Sequence, residues 1–278
     1  MIPRHLVHIV PSQDGLAPEL RDNLQAQSRA NPGWEHLVFT DADALAFIEA
    51  QFERRYLDAL NRIDPAYGPA RSDLMRYLIM YRLGGVYLDN KSGVSRPLDD
   101  IVRPDDEFIV SQWYLEPDQA RTGYGFHPEL SRVPSGEFQN WVIITRPGHP
   151  FLAAVIEAVV SNIARYSVKT FGVGKAGVLR LTGPIAYTLA IAPILDQHPH
   201  RRVFCLEAGL LYAASGQSRR HELVSSLHYS RLRHPVVTPT DHAPVWTHWA
   251  FQFRKSVLLR VARIKHWNHR RLSRRRQP

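Results

Sequence analysis

The stretch Ala70-Arg71-Ser72-Asp73-Leu74-Met75-Arg76-Tyr77-Leu78-Ile79-Met80-Tyr81-Arg82-Leu83-Gly84-Gly85-Val86-Tyr87-Leu88-Asp89-Asn90-Lys91 decides the fold. Leu74, Tyr77, Leu78 and Tyr81 recur at helical spacing, which predicts a helix over 72–83. Gly84-Gly85 stops it, because glycine accepts the left-handed backbone that a helix end requires. Val86-Tyr87-Leu88 then predicts a strand that delivers Asp89 at its carboxyl end.

Upstream, residues 1–10 read as a first strand, 11–15 as a turn, and 17–30 as an exposed helix stopped by Asn31-Pro32-Gly33. A short strand over 34–39 precedes Thr40-Asp41, which caps a helix over 42–52. Downstream, 107–113 and 141–145 predict strands and 150–166 a helix entered at a proline, while 121–136, rich in Gly, Pro and Ser, predicts a long active-site loop. The alternation argues for an α/β fold with a largely parallel sheet and ligands beyond the carboxyl ends of its strands. The expected organisation is one domain over 1–250 and a tail over 251–278.

Bulk properties narrow the function. With 278 residues, 44% hydrophobic and 22% charged, the chain can bury a real core, which excludes a fibrous or disordered protein. Its single cysteine, Cys205, excludes an intrachain disulfide and a four-thiolate zinc site, and its apolar neighbours predict a core residue. The N-terminal apolar stretch is too short for a signal peptide, and no run of about 18 uncharged apolar residues predicts a membrane span. The expectation is a cytoplasmic protein, peripheral on the inner face of a membrane at most.

The formal charge of +9 sits at one end. Residues 251–278 hold ten Lys or Arg and no acid, which leaves the first 250 residues at −1. Phe253, Val257, Val261 and Ile264 recur at helical spacing among those bases, as in a basic amphipathic helix that lies on an anionic lipid surface. The same charges could bind nucleic acid, the weaker expectation, or form a solvated end.

Asp73 and Arg76, three apart on one helix, share a face, and an acid beside a guanidinium suits vicinal hydroxyls. By spacing alone the commoner reading is an ordinary surface ion pair, with Asp89 merely opening a turn. Gly172-Val173-Gly174-Lys175 lacks the spacing of a phosphate loop and reads as a flexible loop. Glu137 reads as a surface glutamate or, more weakly, as a general base or acceptor contact.

The run Ser72-Asp73-Leu74-Met75-Arg76-Tyr77, followed by Tyr81-Arg82-Leu83-Gly84-Gly85-Val86-Tyr87-Leu88-Asp89, resembles the sugar-binding region of family 32 glycosyltransferases. That family includes yeast initiating mannosyltransferases, inositol-phosphoceramide mannosyltransferases and bacterial capsular or lipopolysaccharide enzymes. Further likeness lies in Ile2-Pro3-Arg4, Asn31-Pro32-Gly33-Trp34, Gln139-Asn140, Pro147-Gly148-His149-Pro150-Phe151 and Leu181-Thr182-Gly183-Pro184, covering roughly 2–235. The resemblance implies a GT-A fold, a nucleoside-diphosphate-sugar donor, transfer of a hexose with retention, and a glycan or lipid-linked acceptor.

It also implies site residues. Asp73 and Arg76, with Tyr77, Gly85, Asn90 and Gln139, would bind the substrate, Asn140 would line the same pocket, and Asp89 would be the first acid of a D-x-D motif. In the family pattern the second acid and a late histidine help hold Mn²⁺ or Mg²⁺; His228, or alternatively His248, is the candidate here beside Asp89. The triplet departs from that pattern, because Asp89-Asn90-Lys91 carries an ammonium where a carboxylate is expected. Hard cations rely on carboxylate oxygens, so weakened Mn²⁺ or Mg²⁺ binding is expected and Lys91 becomes a candidate counter-charge for the diphosphate. The alternative is a sugar-nucleotide-binding protein of the same fold with impaired catalysis, or a surface binder acting through its tail.

Overall fold

The computed structural model describes residues 1–12, 16–113, 125–214 and 229–238. The tail at 251–278, His228 and His248, and the first part of the expected loop lie outside the described residues. In chain order the elements are β1 (His5–Val10), α1 (Pro18–Ala30), β2 (Glu35–Thr40), α2 (Asp41–Gln51), α3 (Arg54–Arg62), α4 (Gly68–Leu83), β3 (Gly85–Leu88), β4 (Gly93–Val94) and α5 (Leu98–Ile101). They continue with β5 (Phe108–Gln112), β6 (Val142–Thr145), α6 (Pro150–Ala164), α7 (Val168–Phe171), α8 (Gly174–Leu181), α9 (Pro184–Ile191), β7 (Arg201–Phe204) and β8 (Leu210–Leu211).

The main sheet runs β2-β1-β3-β6-β5-β7. The β1·β2, β1·β3 and β5·β7 pairings are parallel, whereas β6 lies antiparallel to both neighbours. This is the expected α/β architecture, mostly parallel and flanked by helices, with one reversed strand that no periodicity reveals. The reversal matters for function: pairing Leu88 with Val142 sets the amino end of β6 beside the carboxyl end of β3. Asn140 and Trp141 are thereby delivered to Asp89.

Strand alternation divides the core. Val7, Ile9, Tyr87 and Ile143 face one layer with α4, α6 and α9, while Leu6, Val86, Leu88 and Ile144 face the other with Trp34, Leu98 and Cys205. Helix α4 is nearly enclosed, with every residue from Asp73 to Met80 buried. Each large apolar side chain so enclosed contributes about 1.5–3 kcal/mol. Asp73 and Arg76, the two charged residues of that run, are therefore inside the protein.

Several local expectations shift. Thr40 does cap the next helix, through a capping box with Asp43, but that helix starts at Asp41. Helix α4 begins at Gly68, with Pro69 in the first turn where its missing N–H costs nothing. Helix α1 is not a simply exposed amphipathic helix, because Asn23 and Gln27 are buried along with Leu20 and Leu24. The 172–175 stretch is not a loop throughout: Gly174 opens α8. Within the described part of the expected long loop, Pro128–Leu130 forms a 3-10 turn. The stretch Gly174–Gln197 is apolar and long enough to cross a membrane by composition, but half of it is buried in the fold.

Candidate functional site

Arg76 is the centre of the site. It is 6% exposed and Asp73 5%, so the surface-ion-pair reading of this helix face is overturned. Its Nη1 lies 2.9 Å from Asp89 Oδ1 and donates to the Asn140 carbonyl at 2.9 Å, while Nη2 lies 3.4 Å from Asp73 Oδ1. Nε and Nη2 also donate to the Ser72 carbonyl and Oγ, and the guanidinium stands 4.9 Å from the Tyr87 ring centroid. The planar fork of donors thus ties helix, strand end and reversed strand into one unit.

Around it the polar groups are matched. Asp73 Oδ1 accepts from Asn140 Nδ2 at 3.0 Å, and Oδ2 from Thr182 Oγ1 at 2.8 Å. Asn140 Nδ2 also donates to the Tyr77 hydroxyl at 2.7 Å, which in turn donates to the Thr182 carbonyl. The Tyr87 hydroxyl donates to Asp89 Oδ1 at 3.1 Å. Burial pushes the Asp73 carboxyl up to about 6 despite Arg76 and the Thr182 hydroxyl. Burial works against the Arg76 charge as well, yet Asp89, Tyr87 and Asp73 hold it above the usual arginine range. The Asp89 side chain is 21% exposed against 7–8% for its partners, so it is the corner of the cluster that opens to solvent.

The loop after Asp89 is gripped from two sides. On one side three amides of α1 and its C-cap, spaced four apart, reach the backbone. Asn23 Nδ2 donates to the carbonyls of Asn90 and Ser92, Gln27 Oε1 accepts from Val94 N, and Asn31 Oδ1 accepts from Leu98 N. On the other side β4 pairs with β8, Ala214 N donates to the Lys91 carbonyl, and Ser92 Oγ donates to the Tyr212 carbonyl. Lys91 Nζ donates to the Tyr212 hydroxyl at 2.8 Å and sits 4.2 Å from its ring centroid.

Behind Tyr212 stand Trp113 and Trp141, stacked at 5.9 Å and each 5.5 Å from the Tyr212 ring. Trp113 Nε1 donates to Glu137 Oε1 at 3.0 Å, and Trp141 Nε1 donates to Gln139 Oε1 at 2.8 Å. Glu137 is buried and its second oxygen lies 2.9 Å from His127 Nε2, so it is not a surface glutamate.

Of the residues picked from sequence, Asp73, Arg76, Tyr77, Asp89 and Asn140 converge, and Lys91 lies on the adjoining loop. Gln139 directs its amide to Trp141, and Asn90 is engaged through its carbonyl. Gly85 has a backbone role: its φ is +104°, and a Cβ there would fall 2.5 Å from the His5 carbonyl oxygen. Sequence reasoning missed Tyr87, Thr182, Tyr212 and Asn23. The four-residue spacing of Asn23, Gln27 and Asn31 was the available signal for the last; nothing local marks Tyr212.

A D-x-D region raises the question of a divalent cation. Asp89 Oδ1 is already engaged by Arg76 and Tyr87, and Lys91 occupies the second acidic position. Among the described residues no group of three or more His, Cys, Asp or Glu could hold a metal ion. These residues alone do not fit one.

Residues 18–109 match the family described as a glycosyltransferase sugar-binding region containing a DXD motif. The span runs from the start of α1 into β5 and so takes in Asn23, Asp73, Arg76, Asp89 and Lys91. Inositol phosphoceramide mannosyltransferase 1 of Schizosaccharomyces pombe is 23% identical over 171 residues, 60% of this chain and 46% of that protein. Inositol phosphoceramide mannosyltransferase 3 of the same yeast is 29% identical over 156 residues, 56% of this chain and 35% of that protein. The chain thus spans less than half the length of these relatives. Among solved structures, PaToxG glycosyltransferase aligns with a TM-score of 0.46 and 18% identity over 70% of this chain and 72% of its own.

Proposed function

We propose, taking the sugar-binding region at 18–109 as premise, that this chain is a GT-A-type glycosyltransferase that transfers a hexose with retention from a nucleoside diphosphate to a glycan or lipid-linked acceptor. The observation that carries this is the buried Asp73–Arg76–Asp89 cluster at the carboxyl end of β3. Ligands of open α/β sheets lie beyond such strand ends. Asp89, the exposed corner, and the Asp73–Arg76 pair behind it offer an acceptor–donor set suited to sugar hydroxyls.

The reaction needs the departing diphosphate neutralised. Lys91, two residues beyond Asp89, supplies that positive charge where the D-x-D pattern has an acid. Asp89 and Arg76 orient the sugar, Asn140 and Tyr77 keep Asp73 aligned, and Lys91 meets the leaving oxygen as the anomeric bond breaks. The chain acts on the cytoplasmic side, with the basic residues of 251–278 drawing it to an anionic membrane that carries the acceptor.

The test is hydrolysis and transfer from a panel of UDP- and GDP-sugars in EDTA and in Mn²⁺. Turnover that persists in EDTA and falls with Lys91→Ala supports the reading; complete loss in EDTA with an indifferent Lys91→Ala refutes the role of lysine. The missing second acid also favours a reading in which the donor is bound but not used. Donor binding without any turnover would establish that one instead.

A further inference from the structure

We infer that Tyr212 is a positioning residue for Lys91, holding its ammonium where the donor diphosphate would lie. The inference rests on the reading that Lys91 neutralises that diphosphate. A lysine on a surface loop samples many rotamers, and a point charge that wanders stabilises a leaving group poorly. Here the side chain is held at both ends.

Its backbone is fixed by the Ala214 N–H on its carbonyl and, through Asn90 and Ser92, by Asn23 of α1. Its tip donates to the Tyr212 hydroxyl at 2.8 Å and lies 4.2 Å from the ring centroid. An ammonium has three N–H donors, so one spent on the phenol leaves two for phosphate oxygens. The aromatic face adds an attraction that is specific for a cation.

Tyr212 is itself immobilised. Its carbonyl accepts from Ser92 Oγ at 2.9 Å, and it follows directly on β8, whose residues pair with Gly93 and Val94. Trp113 and Trp141 pack edgewise on its ring, and both indoles are tied to side chains of the 137–139 segment, Glu137 and Gln139. A rigid chain of contacts therefore runs from β5 and β6 to Lys91 Nζ, although Lys91 and Tyr212 are 121 residues apart.

The experiment is a double-mutant cycle on the full chain with Tyr212→Phe, Lys91→Met and the double variant. Phenylalanine keeps the ring against both tryptophans and removes only the hydroxyl. The dissociation constants of GDP and UDP are measured in EDTA by calorimetry, with thermal midpoints recorded in parallel. Expected are a weakening of about tenfold for Tyr212→Phe, as for one charge-assisted hydrogen bond, a larger one for Lys91→Met, and no further loss in the double variant, at unchanged midpoints.

Wild-type affinity in Tyr212→Phe, or fully additive losses, overturns the inference. A lowered midpoint in Tyr212→Phe that accounts for the loss does the same, because it assigns the residue a packing role. An unaffected Lys91→Met removes the lysine reading itself, and failure of the wild-type chain to bind either nucleotide removes the donor assignment. The two failures are thereby told apart.

Discussion

Arg76 Nη1 and Asp89 Oδ1 stand 2.9 Å apart, joining the middle of the most deeply buried helix to the end of the central strand β3. The pair is enclosed on the helix side and open on the Asp89 side, which makes it a structural joint and, in the proposed function, the floor of the donor site. Removing Arg76 would leave Asp73 buried without its cation. Arg76→Ala is expected to cost about 3–5 kcal/mol, as for other broken buried pairs, and to abolish donor binding. Urea unfolding measures the first, and Arg76→Ala combined with Asp73→Asn should recover part of it. No recovery would mean that the loss lies in packing rather than in the stranded charge.

Asn23 holds two carbonyls of the loop that carries Lys91, at 2.9 Å each. Asn23→Ala leaves both without their donor, at about 1–3 kcal/mol for an unsatisfied buried group. The expected signature is a rise in donor KM, with a modest loss of thermal stability. An unchanged KM would show that β8 alone holds the loop.

Gly85 and Gly148 both have positive φ, at +104° and +64°, but differ in their surroundings. A Cβ at Gly85 meets His5 backbone at 2.5 Å, whereas at Gly148 nothing lies within 4 Å. Gly148→Ala should therefore cost only backbone strain, about 1–2 kcal/mol. Gly85→Ala should cost several times more, since β1 and β3 would have to separate. Equal midpoints in thermal melts of the two variants would contradict this.

His8 is fully buried in β1, with Nδ1 donating to the Leu88 carbonyl at 2.9 Å, and its ring centroid lies 5.0 Å from that of His36 in an edge-on arrangement. Burial, together with the neighbouring His36, lowers its pKa to about 3. The unfolded chain, with an ordinary imidazole near 6.5, takes up the proton first. Stability is thus complete above pH 6.5 and is lost as pH falls toward 3, at up to about 1.4 kcal/mol per unit. His149, lowered to about 4 by burial, acts in the same direction. Urea midpoints between pH 7 and 4 should fall, and less steeply in His8→Gln; parallel slopes would sink the assignment.

Much of this architecture could be read along the chain because it depends on near neighbours. The helix stop at Gly84-Gly85, the cap at Thr40, the strand ending at Asp89 and the shared face of Asp73 and Arg76 all follow from spacings of a few residues. The departure at Lys91 is likewise a matter of reading three letters. Spacing does not report burial: it fits a solvated pair as well, and the enclosure of α4 from Asp73 to Met80 comes from strands and helices remote in sequence.

Only the tertiary structure decided the rest. The reversal of β6 brings Asn140 to Asp73, 67 residues away, and packing of α8 against α4 brings its C-cap Thr182 to the same carboxylate across 109. Pairing of β4 with β8 sets Tyr212 on Lys91. Periodicity reports which face of an element is apolar, but not which distant element covers it; that choice is made by the summed burial and hydrogen bonding of the whole core. The sequence by itself determined that Asp73 and Arg76 share one helix face and that Asp89 and an unexpected ammonium follow one strand end; that they form one site was only what the resemblance implied. Their enclosure, their partners and the hold on the lysine were settled by the fold.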